Sequence, residues 1–189
     1  MTVKHADFEE IRTKHLLLRK LRSDDARCYY ERIGSSEDVT RFMLWQPHKT
    51  LRETCESIEK VMGRYEKGNA YTWGIALAED NSVIGRIDLL RIDEAECSCS
   101  FAYMLGKDFW GRGYGTEALN AVLAFAFEQM QMQRICADHM TENAASGSVM
   151  RKCGMKFVET LPSKYEKGGK LFDADVYVIT SEMWENRCE

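Results

Sequence analysis

Residues 110–118 read Trp-Gly-Arg-Gly-Tyr-Gly-Thr-Glu-Ala, with three glycines in five positions directly before an apolar helical pattern. The first N–H groups of a helix have no intrahelical acceptors and carry partial positive charge, so such a start can hold an anion. Glycine has no Cβ to keep a phosphate away from the backbone. Arg112 adds a cation and Thr116 a hydroxyl. The segment is neither a Walker loop, which needs Gly-Lys-Ser/Thr, nor the dinucleotide fingerprint GxGxxG. A phosphate-binding loop and a tight turn with glycines for packing both remain open on this segment alone.

Asn143-Ala144-Ala145-Ser146 is the second signal. Asn143 suits a helix cap after a strand, and Ser146 lies one turn further on, so both side chains can face one cleft. A capping Asn beside a solvent-facing Ser is the alternative. Glu166, in a late loop, can act as a proton acceptor or stand as a solvated charge. His139 lies in a strand pattern with no nucleophile beside it, and no histidine shares a motif with Cys or Ser, which argues against nucleophilic catalysis. Trp45 and Trp73 read as core or cleft-wall aromatics, with Trp45 also a candidate for acceptor specificity. The acidic run Asp93-Glu94-Ala95-Glu96 reads as a solvated turn. The 7 cysteines contain no CxxC pair and the 4 histidines are scattered, so no metal site is expected and the thiols read as reduced.

These residues need elements to carry them. Residues 15–21 read as a strand and Arg27 to Ile33 as a first helix, ended by Gly34-Ser35-Ser36. Thr50 and Glu53 form a capping-box pattern for a helix over 51–67 closed by Gly68. Tyr71 to Ala78, Val83 to Arg91 and Cys97 to Leu105 read as consecutive strands. A helix from the glycine loop to about Met130 buries Leu119, Val122, Leu123, Ala126 and Phe127. Arg134 to Met140 is a strand and Ala144 to Cys153 a short helix. Lys156 to Leu161 and Asp175 to Ser181 are the last strands. The order gives an α/β fold in which antiparallel strands precede a crossover helix, as one domain over residues 1–189.

The chain has 189 residues, 44% hydrophobic and 30% charged, with only 2 prolines. This composition excludes disorder and collagen-like or low-complexity structure, and no apolar run approaches the ~20 residues of a membrane span. A formal net charge of −4 argues against nucleic-acid binding. Residues 1–15 show no signal-peptide pattern, and a cytoplasmic location is expected.

Taken together, in this order and spacing, the two segments resemble the GNAT superfamily of acyl-CoA N-acyltransferases. Gly113-Tyr114-Gly115 resembles its pyrophosphate loop. Trp110 stands where the superfamily usually has Gln or Arg, a departure shared with the ribosomal-protein N-acetyltransferases of the RimJ/RimL type. Residues 11–19 resemble the opening strand and Asp25 the first helix. Val83-Ile84-Gly85 resembles the third strand, and Asn143-x-x-Ser146 with Lys152-Cys153-Gly154-Met155 two later signatures. Gly169-Lys170, Asp173 and Tyr177 resemble the closing pattern. One position departs: Ser100 stands where the subfamily often has a Glu.

The resemblance implies a single GNAT-like domain with splayed middle strands in a mixed central sheet and flanking helices. It implies an enzyme that moves an acetyl group from acetyl-CoA, with no metal, to a primary amine by direct attack in a ternary complex. The pantetheine arm would pair with the strand at Tyr103, Met104 and Leu105, with an N–H near Met104 or Leu105 facing the thioester carbonyl. The pyrophosphate would rest on Gly111, Arg112, Gly113, Tyr114, Gly115 and Thr116. Asn143 and Ser146 would contact the cofactor, Ser146 as an acid for the leaving thiolate, and with Ser100 at the Glu position the base would move to Glu166. A protein N-terminal amine is the first-choice acceptor. A polyamine, amino sugar or antibiotic is the second, and a CoA-binding sensor without turnover is the alternative outside catalysis. A monomer or homodimer without membrane or nucleic-acid partners is expected.

Overall fold

A computed structural model gives the arrangement of residues 6–66 and 71–188. The strands are β1 (Ile11–Arg12), β2 (Leu16–Arg19), β3 (Tyr71–Leu77), β4 (Val83–Asp93), β5 (Ser98–Leu105), β6 (Arg134–Met140), β7 (Lys156–Lys167) and β8 (Lys170–Thr180). The α-helices are α1 (Ala26–Tyr29), α2 (Glu37–Thr40), α3 (Leu51–Glu66), α4 (Tyr114–Ala124), α5 (Ala144–Lys152) and α6 (Ser181–Glu185). Helices α1 and α4 continue as π turns over Tyr30–Gly34 and Phe125–Gln129. The strands form one mixed sheet in the order β1-β2-β3-β4-β5-β6-β8-β7, with the parallel pair at β5–β6 and antiparallel ladders elsewhere among the described registers. Among the described residues no helix is long and apolar enough to cross a membrane.

Contacts divide the described residues into two units, one drawn from residues 7–89 with Ala102–Ala121, the other from Leu90–Phe101 and residues 122–188 with Ala6. They are called here the N-terminal and C-terminal units.

In the N-terminal unit, β3 is buried on both faces. Helices α1 and α3 pack Tyr29, Ile33, Ile58 and Val61 with Leu21, Val39, Val83 and Met104. The α3 cap differs in detail from the sequence reading. The Glu53 N–H donates to Thr50 Oγ1 at 3.4 Å, but the Glu53 carboxylate accepts from the Lys49 N–H at 2.9 Å rather than from Thr50's own. Gly68 lies outside the described residues. Arg19 and Asp25, both buried, form a bidentate pair with two 2.8 Å bonds, joining β2 to the turn that starts α1. Gly85 lets β4 approach β5: a Cβ there would lie 2.4 Å from the Met104 carbonyl. The Gly106 N–H then bonds the Ile84 carbonyl at 2.8 Å, fixing the end of β5.

In the C-terminal unit β7 and β8 are longer than the sequence pattern suggests. They extend to Lys167 and back from Lys170 around Gly168 and Gly169, both at positive φ. The exposed, charged composition of residues 162–174 hides this extension, because its backbone bonds rather than apolar burial hold the strands together. Asp93 closes the acidic turn as expected, its carboxylate accepting the Ala95 and Glu96 N–H groups at 3.0 Å.

Candidate active site

The chain leaves β5 at Leu105, makes a 3₁₀ turn over Lys107–Phe109 and enters the glycine loop. Gly111 and Gly113 have φ of 73° and 84°. An L side chain is strained in that region, whereas glycine is not. A Cβ at either position would meet nothing within 4 Å, so the backbone there faces open space. The Gly113 carbonyl accepts the Glu117 N–H at 3.0 Å, which makes Gly113 the start of α4. Residues 111–113 are exposed, Tyr114 and Thr116 half-buried, and Gly115 and Ala118 buried. The Arg112 guanidinium stands 5.7 Å from the Phe109 ring centre. An open, glycine-lined helix start beside a cation fits a diphosphate.

The strand below the loop is held in two ways. Tyr29 Oη donates to Met104 Sδ at 3.4 Å, fixing one side chain of the Tyr103–Leu105 segment in the core. Trp110 Nε1 donates to the Leu105 carbonyl at 2.8 Å, so the indole ties the loop entrance to the end of β5. The substitution noted at Trp110 therefore has a structural task. At the other end of the loop, Glu117 accepts from Thr13 Oγ1 at 2.6 Å, from the His15 backbone N–H at 2.8 Å and faces His15 Nδ1 at 2.8 Å. Burial works against its ionisation, but the bonds from Thr13 and His15 outweigh burial and hold its carboxyl below the ordinary glutamate range.

In the C-terminal unit Asn143 caps α5 and accepts the Ser146 N–H on its side-chain oxygen at 3.4 Å. Ser146 is half-exposed in the first turn. His139 is buried, with Nδ1 on its neighbour's carbonyl, Met140 O, at 2.8 Å and its ring stacked on Tyr177 at 5.6 Å. Its place in the core agrees with the reading of it as a strand residue. Ser100 donates to the Leu90 carbonyl at 3.2 Å. Glu166 is exposed on β7, on the opposite face from Tyr165. The expected residues thus fall into two sets: Tyr103 to Leu105 with the 111–116 loop in the N-terminal unit, and Asn143, Ser146 and Glu166 in the C-terminal unit. Of the two tryptophans, Trp73 is fully buried, and Trp45 packs on the N-terminal core beside His48 at 5.1 Å.

A further constellation escaped the sequence reading. Asp138 on β6 accepts from Tyr165 Oη on one carboxylate oxygen and from Lys164 Nζ at 2.7 Å on the other. The residues lie 26 and 27 positions apart, and only the pairing of β6 and β7 with β8 brings them together. Burial of Cys99 and Cys153 pushes both thiols up to about 12, so neither is a ready nucleophile. No group of three or more metal-binding side chains occurs among the described residues.

Comparison with known proteins agrees with this geometry. Residues 15–156 match the family described as Acetyltransferase (GNAT) domain. A solved acetyltransferase of the GNAT family from Bacillus anthracis is 26% identical, with a TM-score of 0.82 over 92% of this chain and 99% of that one. Spermidine N(1)-acetyltransferase of Vibrio cholerae is 20% identical over 92% of this chain and 98% of its own. The alanine N-acetyltransferase of ribosomal protein uS5 from Escherichia coli is 24% identical over 65% of this chain and 57% of its own. An open glycine loop at the start of α4 and a family match running through both units lead to one conclusion: this chain belongs to the GNAT family of acetyl-CoA-dependent N-acetyltransferases.

Proposed function

We propose that the protein acetylates a primary amine, with a protein N-terminal α-amine as the acceptor, and that the 111–116 loop holds the CoA pyrophosphate. The observation that carries the cofactor assignment is the loop itself, with two positive-φ glycines open to solvent at the start of α4. Arg112 supplies countercharge there, Tyr114, Gly115 and Thr116 supply N–H groups of the first turn, and Asn143 contacts the cofactor. The pantetheine arm runs along Tyr103–Leu105, where the fixed Met104 side chain and the Trp110 bond to Leu105 keep the strand in place. A backbone N–H at Leu105 aimed at the thioester oxygen would supply about 3–4 kcal/mol to the tetrahedral intermediate.

The amine nitrogen attacks the thioester carbon, the C–S bond breaks, and the amine proton is lost as the CoA thiolate leaves. Ser146 is the proposed proton or hydrogen-bond donor to that thiolate, and Glu166 the proposed proton acceptor. Neutralising an α-amine of pKa near 8 costs about 1.4 kcal/mol at pH 7, against about 4.6 for a lysine-type amine. The α-amine is therefore the easier acceptor, and the RimJ/RimL-like loop supports it. The spermidine-acetylating relative supports a second reading, a small polyamine.

The test is thiol release from acetyl-CoA with peptides bearing a free or a blocked N-terminus, beside a small-amine panel. Turnover with the free peptide, rising from pH 6 to 9 at subsaturating amine, is expected. Equal rates with the blocked peptide, or a flat pH profile, contradict α-amine attack.

A further inference from the structure

Arg86 and Asp88 on β4 have no part in the chemistry so far described. Their side chains are 21% and 2% exposed, and Arg86 Nε donates to Asp88 Oδ2 at 2.9 Å. Thr72 Oγ1 on β3 donates to the other carboxylate oxygen at 2.6 Å. Asp88 is thus held on both oxygens and fixes the guanidinium in turn. The Tyr29 hydroxyl of α1 faces the same guanidinium. A guanidinium carries five N–H donors and no acceptor. Among the described residues Asp88 and Tyr29 are its hydrogen-bond partners, so Nη–H donors are left over.

Tyr29, Thr72, Arg86 and Asp88 lie in the N-terminal unit, as does the strand segment proposed to face the thioester. Strands β4 and β5 are neighbours joined by the turn that Asp93 closes, and the Gly106 N–H on the Ile84 carbonyl sets their register. Counted from that bond, Arg86 stands opposite Met104 and Asp88 opposite Ala102. The Tyr29 hydroxyl agrees with this placement, since it donates to Met104 Sδ at 3.4 Å and also faces Arg86. Met104 is buried against α1 and α3, whereas Ala102 is exposed. The cover of this face of the sheet therefore ends between them, and solvent reaches it beside Arg86.

We propose that Arg86, held by Asp88, recognises the acceptor by donating its remaining Nη–H groups to a carbonyl oxygen next to the reacting amine. This rests on the reading that an amine attacks a thioester near Met104 and Leu105. Charge decides the ligand class. Arg86 and Asp88 cancel, and the other groups that act on Arg86, Tyr29 and Tyr65, are phenols. A carboxylate would stand beside Asp88 with no net cation to offset it, whereas a neutral carbonyl oxygen needs only donors. A polyamine fails for the opposite reason, because its ammonium groups are donors of the same charge as the guanidinium. An α-aminoacyl amide fits, since only the α-carbon and the carbonyl carbon separate its oxygen from the attacking nitrogen. Arg86 then selects a peptide N-terminus over a polyamine.

The experiment is titration calorimetry on the CoA-saturated protein at about pH 6.5, where an α-amine is protonated, so that binding is read without turnover. The probes are alaninamide, alanine, 1,4-diaminobutane and 2-aminobutane, the last being alaninamide with an ethyl group in place of the amide. The wild type is expected to bind alaninamide about tenfold more tightly than 2-aminobutane, and more tightly than alanine or 1,4-diaminobutane. Arg86→Lys keeps a cation beside Asp88 but loses the planar fork of donors. It is expected to reduce the tenfold ratio to about threefold or less. Equal affinities for alaninamide and 2-aminobutane in the wild type overturn the proposal, as does an undiminished ratio in Arg86→Lys. Tighter binding of alanine or of 1,4-diaminobutane overturns the neutral carbonyl as the ligand. Should Arg86→Lys fail to hold CoA, the wild-type ratios decide alone. Failure of the amine-transfer reading is seen separately, as absent thiol release from acetyl-CoA with every amine.

Discussion

At the start of α4 the proposed binding groups are backbone N–H groups, placed by the two positive-φ glycines at 111 and 113. On β6 and β7 the polar groups that meet are side chains, Asp138, Lys164 and Tyr165, brought together by strand pairing across 26 and 27 residues. A backbone site must be written locally, since only glycine allows those φ values and only a helix start supplies the N–H groups. A side-chain site leaves an Asp, a Lys and a Tyr in the sequence with nothing to link them. The first kind of site suits a constant ligand such as a diphosphate. The second can be rebuilt residue by residue.

The largest expected effect breaks the backbone site. Gly113→Asp strains a left-handed position and sets a negative charge against the pyrophosphate, so acetyl-CoA affinity should fall about a hundredfold or more. Calorimetry reads it, and unchanged affinity would remove the loop from the cofactor site.

Ser146→Ala tests a side-chain role against that backbone site. If the hydroxyl serves the leaving thiolate, kcat should fall about tenfold with acetyl-CoA affinity and melting temperature nearly unchanged. Since the Asn143 cap reaches the Ser146 backbone N–H rather than its hydroxyl, the variant keeps the cap. An unaltered kcat at saturation would make Ser146 a bystander.

Trp110→Phe removes one indole N–H from the Leu105 carbonyl while keeping an aromatic ring. One hydrogen bond of about 1 kcal/mol corresponds to about fivefold in acetyl-CoA affinity if the bond orders the loop for binding. A shift in melting temperature alone, with affinity intact, would make the bond structural only.

The smallest effect concerns Glu117, whose carboxyl is held below its ordinary range by Thr13 and His15 against the opposing effect of burial. A depressed carboxylate pKa contributes stability that is present above the unfolded value, near 4.3, and lost as pH falls through the folded value. Melting curves of the wild type and Glu117→Gln should differ most above about pH 6 and converge at the acid end. A constant gap down to pH 2 would contradict the clamp.

Legibility in the sequence follows the same division. Strands β3 to β6 and helices α3, α4 and α5 were visible because alternation, helical spacing or a cap marks each. The far halves of β7 and β8 were not, because Lys164, Glu166 and Lys170 give a solvated strand no apolar signal. The two signature segments were legible as local patterns. The bonds that hold them, Trp110 to Leu105 and Glu117 to Thr13 and His15, were not, since each acceptor or donor is fixed only once the chain has folded. Helix α2 was missed because it is a single turn, capped by Ser36, a residue the sequence reading used only to end α1.

The most direct measurement is a ¹H–¹⁵N correlation titration of the protein with CoA. If the backbone at the start of α4 is the cofactor site, the amides of Gly111 to Thr116 should show the largest shifts and saturate together, with those of Tyr103 to Leu105 moving alongside. Saturable CoA binding that leaves the 111–116 amides unmoved while others shift would contradict the account.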